Sequence, residues 1–339
     1  MKKILAAILA ALMIASISGC GRDDPEDTET EETYVPADVS DVPSPLKING
    51  AEIPYALYRY YYAAVKYQYD LGNDSFWRDD SLYGQVRELT LYYIRRGAAV
   101  AQYAEQSGVI LSDYDKSKAK QNVASNRYSL YEDDVEYYKA LDLYYLTEET
   151  NLYLEEMSLL EEKLFEYLTS EESGPKISSN PELVRRFVNN RVIRVDHILI
   201  KNDEGEDRNE NETLINELAQ RIASGEDFYE LKHKYSEDTE NKNDDTGYYI
   251  AEGDKSPQFS DASFALREGE TSGVVTAPYG YHIIRRLTPD EEYITENFDT
   301  YFAPLYRQHM FDAAVQKLID AQVIEYDESY YAINPLNLK

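Results

Sequence analysis

The sequence has one cysteine, one tryptophan, four histidines and far fewer basic than acidic residues, and each shortage removes a class of function. A single Cys cannot close an internal disulfide or supply a multi-cysteine metal site, and His197, His233, His282 and His309 show none of the spacings of a zinc motif. No metal and no cofactor is expected. With 34 Lys and Arg against 64 Asp and Glu the net charge is −30, which argues against a nucleic-acid partner, because binding to phosphates rests on counterion release by clustered basic side chains. The sequence carries no such cluster. Its 339 residues and 43% hydrophobic content are enough for two domains with folded cores.

Long apolar runs are also scarce, and the clearest stands at the N-terminus. Lys2 and Lys3 precede an apolar stretch from Ile4 to Ile17, and the small residues Ser18 and Gly19 lead into Cys20, the pattern of a secretory signal over residues 1–19. The stretch is short for a membrane span. Ile17-Ser18-Gly19-Cys20 resembles the lipobox of bacterial lipoproteins, which implies cleavage before Cys20, acylation of its thiol with chains such as palmitate, and an extracytoplasmic protein anchored to the bacterial cell membrane. Residues 20–45 are acidic and Pro-containing with no apolar period, and are expected to form a disordered tether.

Residues 46–180 are helical in pattern. Leu46 to Pro54 reads as a short hairpin with Asn49-Gly50 as the turn, and four to six helices are expected after it. In one of them Tyr153, Met157, Leu160, Leu164 and Leu168 form an apolar stripe. Twenty of the 33 tyrosines lie between residues 46 and 169. Two readings are open: half-buried packing with the hydroxyl reaching water, or a surface for clients, since Tyr offers broad contact at low entropy cost. A Ser, Gly and Pro-rich break at 170–181 ends this region.

Residues 190–290 have another texture, with strands and short helices alternating. Val192 to Ile200 reads as a strand with Val195, His197 and Leu199 on one face. A helix over 212–223 ends at Gly225, Asp227 caps a helix through Lys234, and Gly247 to Ile250 is a strand. Ser260 or Asp261 is expected to cap a helix through Ala265, and strands over Thr271 to Val275 and Tyr281 to Leu287 complete the unit.

The phrases Val195-Asp196-His197-Ile198-Leu199-Ile200, Tyr235-Ser236-Glu237-Asp238, Gly247-Tyr248-Tyr249, Phe259-Ser260-Asp261-Ala262-Ser263-Phe264-Ala265-Leu266, Gly269 to Val275 and Tyr279-Gly280-Tyr281-His282 resemble the successive signatures of parvulin-type peptidyl-prolyl cis/trans isomerases. With the lipobox and the helical flanks, the chain resembles the PrsA-like and SurA-like extracytoplasmic foldases. The resemblance implies an α+β fold, a parvulin-like domain with a small antiparallel sheet and surrounding helices inserted in a mainly helical chaperone domain. It implies His197, Asp238 and His282 as catalytic residues, and Phe259, Tyr249 and Thr246 as substrate-binding residues. Unfolded or newly secreted polypeptides with X-Pro segments would be the partners, and a homodimer is left open.

The sequence departs from the family pattern at the Pro pocket, where Asp254 or Lys255 stands for a usual Met and Thr246 for an apolar residue. These changes keep a second reading in play, a non-catalytic holdase with a decayed parvulin domain. The acidic segment Lys201 to Asn211 lacks the basic cluster of the phosphate-reading branch. Residues 291–339 return to helix and end strand-like at 324–333, and by analogy complete the chaperone domain.

Overall fold

The structure, a computed structural model, describes residues 34–70, 72–77, 80–170, 176–202, 208–277 and 280–338. The expected signal segment 1–19 and the lipidation site Cys20 lie outside the described residues. The chain divides into two units, residues 1–175 with 313–339, and residues 176–312.

The first unit opens with the hairpin β1 (Leu46–Ile48) and β2 (Ala51–Glu52). Asn49 and Gly50 both have positive φ, 51° and 80°, the conformation that a two-residue hairpin turn of matching twist requires. Five α-helices follow: α1 (Tyr55–Asp70), α2 (Tyr83–Gln106), α3 (Asp113–Leu130), α4 (Asp134–Leu143) and α5 (Glu148–Thr169). Ser112 and Asp115 form a capping box on α3, and Thr147 caps α5, so orphan N–H groups are satisfied locally.

The chain's far end closes this unit. β7 (Ile324–Tyr326) pairs antiparallel with β1, Leu46 against Tyr326 and Ile48 against Ile324. Tyr330 enters the core made by Leu46, Ile48, Leu57, Tyr58, Tyr62, Val65 and Trp77. Its ring meets Tyr58 edge-on at 5.8 Å. The strand-like expectation over 324–333 holds for three residues only, because Asp327 caps a short helix, α12 (Glu328–Ala332).

Two further expectations are corrected. Residues 34–45 are irregular but docked: Asp142 accepts from the Tyr34 hydroxyl and the Ala37 N–H, and Val39 is buried. A carboxylate with two donors in reach outweighs the acidic composition there. The apolar stripe of α5 buries Leu164 and Leu168 but leaves Tyr153 exposed.

The second unit begins with α6 (Pro181–Arg191), which runs directly into β3 (Val192–Lys201). Helices α7 (Arg208–Ala223) and α8 (Phe228–Tyr235) follow, then β4 (Tyr248–Ala251), α9 (Pro257–Ala265), β5 (Thr271–Ala277) and β6 (Gly280–Leu287). The sheet order is β4-β3-β6-β5, with every neighbour antiparallel. Helices α7 and α8 cover one face through Ile215, Leu218, Phe228 and Leu231 against Ile198, Ile200 and Ile283. Helix α9 covers the other through Phe259 against Ile193, Val195, Ile250 and Ile284. The cap of α9 is Ser256, with Pro257 at the first helical position, rather than Ser260 or Asp261. Proline is favoured there because its missing N–H is an orphan in any case.

The expected boundaries at 190 and 290 omit helices that share this unit's core. Val184, Phe187 and Val188 of α6 pack with Val192, Tyr249 and Ala251, as do Ile294 of α10 (Glu291–Glu296) and Phe302 of a π-helical turn at Phe298–Phe302. The unit boundary falls within the last long helix, α11 (Ala303–Asp320).

Candidate active site

Alternation along β3 sends Val195, His197 and Leu199 to the α9 face. The β6 register sets Ile284 opposite His197 and His282 opposite Leu199, so the two imidazoles are diagonal neighbours on one face. Their ring centroids are 5.2 Å apart. Phe259 stands edge-on to both, at 5.5 Å from His197 and 5.1 Å from His282. On the other side β4 pairs Tyr248 with Val195, which brings the Tyr248 hydroxyl to 2.8 Å from His197 Nδ1.

Asp238 arrives from a different direction. β4 pairs with β3 only as far as Val195, and beyond it the segment after α8 takes over the free strand edge. Glu237 donates its N–H to the Leu199 carbonyl at 2.8 Å, Leu199 donates to Ser236 Oγ at 3.2 Å, and Lys201 donates to the Glu237 carboxylate at 2.6 Å. This edge pairing carries Asp238 Oδ2 to 3.3 Å from His197 Nε2. The segment rejoins the sheet at Gly247, whose φ is +68° and where a Cβ would sit 2.6 Å from the Val195 carbonyl oxygen, so only glycine fits.

Burial removes water from the imidazoles and disfavours their charged forms. Both are pushed down to about 3, His197 by burial with the Lys255 and Lys232 ammonium groups adding, His282 by burial with His197 and Lys255 adding. At neutral pH both rings are therefore uncharged. Burial also pushes the Tyr248 phenol up, which keeps its proton on. The Asp238 carboxylate can only accept, so the neutral His197 ring keeps its proton on Nε2, facing Asp238, and Nδ1 accepts from the Tyr248 hydroxyl. The chain of donors fixes one neutral tautomer. His282 Nδ1 is buried with no hydrogen-bond partner among the described residues. The arrangement is an aromatic wall over two neutral imidazoles, with one carboxylate at the edge. Among the described residues it holds no nucleophile activated by a base.

Residues 197–288 match the model of the rotamase family, described as the PPIC-type PPIase domain. They form a PPIC-type peptidyl-prolyl isomerase domain. The foldase protein PrsA of Oceanobacillus iheyensis is 39% identical over 98 residues, 28% of this chain and 29% of that protein. The chaperone SurA of Nitrosococcus oceani is 34% identical over 105 residues, 30% and 24%. The matched segment thus spans less than a third of either relative. Among solved structures, a PrsA of Bacillus anthracis aligns over 68% of this chain and 94% of its own at 21% identity, with a TM-score of 0.31.

Within the PPIC-type domain the structure brings together His197, His282, Asp238 and Phe259 from four separate stretches of sequence. It does not bring Tyr249 or Thr246 to them. Tyr249 pairs with Arg194 and so points to the opposite face, where its ring stacks on Tyr293 at 5.5 Å and its hydroxyl accepts from the Asp290 N–H at 2.7 Å. Thr246 is exposed and donates both its N–H and its hydroxyl to Asp244 Oδ1. Tyr248 holds the place at the site. Alternation says only that Tyr248 and Tyr249 face opposite ways; the register with β3 selects between them.

Asp254 and Lys255, the two candidates for the pocket position, are placed differently. Asp254 turns back and accepts the Ala251 N–H at 2.7 Å, while Lys255 sets its ammonium 5.1 Å above the Tyr248 ring. Among the described residues no group of three or more His, Cys, Asp or Glu is gathered as a metal site needs. An open cleft of about 740 Å³ lined by Arg185, Arg186, Asn189 and Phe298 lies apart from the histidines and shares no residue with them.

Proposed function

We propose that this chain is a peptidyl-prolyl cis/trans isomerase and chaperone that assists the folding of newly secreted polypeptides outside the cytoplasmic membrane. The observation that carries this reading is the cluster of Phe259, His197, His282, Tyr248 and Asp238 on one sheet face. Rotation about an X-Pro bond faces a barrier of about 18–20 kcal/mol because amide resonance is lost at the twisted state. No bond breaks, so no nucleophile or cofactor is called for. A Pro ring seated against Phe259 holds the amide out of water, where the less polar twisted form is favoured. The Asp238 carboxylate near the substrate carbonyl opposes the charge-separated resonance form, which weakens the partial double bond further. Both effects favour the twisted state relative to the planar one, and that difference is what lowers the barrier. The neutral imidazoles shape the floor of the site and orient Asp238 through the Nε2 proton.

The names of the relatives, foldase and chaperone, support the second half of the reading, and the helical unit supplies a surface for it. Tyr114 and Tyr128 of α3 are 77% and 79% exposed, with Leu143 and Ile110 also open. We assign client binding to this aromatic surface. Membrane attachment is assigned to acylated Cys20; the Cys20→Ala protein should accumulate as uncleaved precursor or unlipidated protein, and a variant that is processed and still retained at the membrane like the wild type would refute the anchor. Among the described residues no helix is long and apolar enough to cross a membrane.

The deciding experiment is acceleration of cis/trans exchange in X-Pro peptides by the full chain without ATP or metal. A second reading, a holdase without isomerase activity, is favoured by one observation, the Lys255 ammonium above Tyr248 at the pocket margin. An uncatalysed rate across a broad peptide panel, with aggregation still suppressed, would establish the holdase.

A further inference from the structure

Lys232 and Asp196 are both fully buried, and their ion pair spans 2.7 Å on the sheet face opposite the histidines. Full burial of a lysine is rare, and an isolated buried pair often adds no stability over apolar residues. Their placement points to another role. Asp196 Oδ1 accepts two hydrogen bonds, one from the backbone N–H of His197 and one from Asn241 Nδ2, each 2.7 Å. Asp196 Oδ2 takes the Lys232 ammonium, which donates a further bond to the Asp244 carbonyl at 2.6 Å. Three donors and no competing acceptor define Asp196 as a carboxylate.

Asn241 is not an isolated contact. Its N–H and that of Lys242 donate to the Asp238 carbonyl, and Glu240 donates to Asp238 Oδ1, so Asp238 and Asn241 belong to one tight turn. A single oxygen of Asp196 therefore holds the strand at His197 and the turn that carries Asp238. We infer that Asp196, Lys232 and Asn241 are positioning residues, a clamp beneath the sheet that sets the His197–Asp238 contact. This inference rests on the isomerase reading for its catalytic consequence but not for its geometry. Asp196 binds the two parts directly, Lys232 holds Asp196 charged and fastens Asp244 further along the loop, and Asn241 is the link whose loss frees the turn without stranding a buried charge.

The test uses the full chain with selectively ¹⁵N-labelled histidine, which gives four ring systems. In the wild type His197 should show the Nε2–H tautomer. Asn241→Ala, or Asn241→Ser should the alanine variant fold poorly, should lower kcat on an X-Pro peptide about tenfold with KM unchanged, the scale expected of a small misplacement in a positioned site. It should also shift His197 toward tautomer exchange. The paired variant Asp196→Asn with Lys232→Met keeps the Oδ1 acceptor but loses the ammonium's hold on Asp244; it should keep the Nε2–H tautomer and lower kcat less than Asn241→Ala does. A chain in which Asn241→Ala lowers only the melting temperature, with kcat and the His197 signals unchanged, would overturn the inference. If the wild type shows no isomerase activity, the enzyme reading fails, and the His197 tautomer alone still decides the clamp.

Discussion

Each unit of this protein buries a carboxylate under several donors, Asp196 in one and Asp70 in the other, but the two differ in how their remaining polar and aromatic side chains are placed. In residues 176–312 the polar groups near the site are singly placed and mutually dependent: Asp196 serves His197, Asn241 and Lys232 at once, and His197 is held from both ring nitrogens. In the helical unit the work is spread over many similar side chains. Tyr55, Tyr58, Tyr60 and Tyr62 are buried along one helix, while Tyr114 and Tyr128 stand in the open on another. The hydroxyls of Tyr58 and Tyr62 are buried with no partner among the described residues, so the expectation that such hydroxyls reach water fails there. A network with shared atoms fails when one member is lost, whereas a surface of repeated aromatics degrades by degrees.

The largest expected effects therefore come from single changes in the sheet unit. Lys232→Met strands the Asp196 carboxylate in the interior, and this should cost about 3–5 kcal/mol of that unit's stability. Phe259→Ala should cost a similar amount, about 3–5 kcal/mol, because Phe259 is only 3% exposed and packs on Ile193, Val195, Ile250 and Ile284 as well as on the histidines. Phe259 is wall and core together, so Phe259→Leu, which keeps the core filled, is the variant that isolates the pocket. Urea unfolding of the full chain, followed by a probe local to the sheet, reads both; a loss under about 1 kcal/mol for Lys232→Met would mean that the ion pair is dispensable.

Acid should separate the units next. His197 and His282 are held near 3 in the folded sheet but titrate near 6.5 when unfolded. The unfolded chain then binds more protons between those values, so stability falls as the pH is lowered from 6.5 toward 3. Asp196 runs the other way, since burial raises its carboxyl, and offsets part of the loss. The helical unit has no buried histidine among the described residues and should lack this term. A sheet-unit melting temperature that stays level from pH 7 to pH 4 would contradict the neutral, buried imidazoles.

The same division governs how much of the fold and the site is legible in the sequence. The order of strands and helices in 190–290 follows from local signals: Asp227 caps α8 as its position implies, and Gly269 marks a turn, whereas Gly247, read as the first residue of a strand, precedes it with positive φ. His197, His282, Asp238 and Phe259 are legible because each sits in a distinct phrase. Tyr248 is not, because a two-residue choice within a strand depends on pairing register. Lys232 and Asn241 are hidden for a related reason. A lysine in a helix rich in polar residues reads as solvated, and only the fold brings it over Asp196. In the helical unit the stripe of α5 predicts more burial than occurs, since periodicity shows that a face can pack and does not say what lies opposite it.

A smaller effect is expected when the units are parted. Joining residues 34–170 to 303–339 through a Gly/Ser linker keeps β1, β7, Tyr330 and the core they share with α1 and α2. That chain should fold and delay aggregation of an unfolded test protein, less so at high salt for basic clients, because screening weakens attraction to an acidic surface. A folded chain that delays no aggregation at any ratio would move client binding to the PPIC-type domain.

The smallest expected effect is that of Tyr128→Ser. Tyr128 is 79% exposed near the end of α3, a helix in which only Ala119 is buried, so its removal should change stability by no more than about 0.5 kcal/mol. If client binding is spread over repeated aromatics, the single change should barely alter aggregation suppression, and Tyr114→Ser should do no more. Combining the two with Leu143→Ser should produce a clear loss, because clients in extended form then lose several apolar contacts together. Aggregation curves for the singles and the triple variant, at equal folded concentration, read the difference. Should Tyr128→Ser alone abolish suppression, the helical unit would contain a focused site like that of the sheet, and the contrast between one shared network and one redundant surface would collapse.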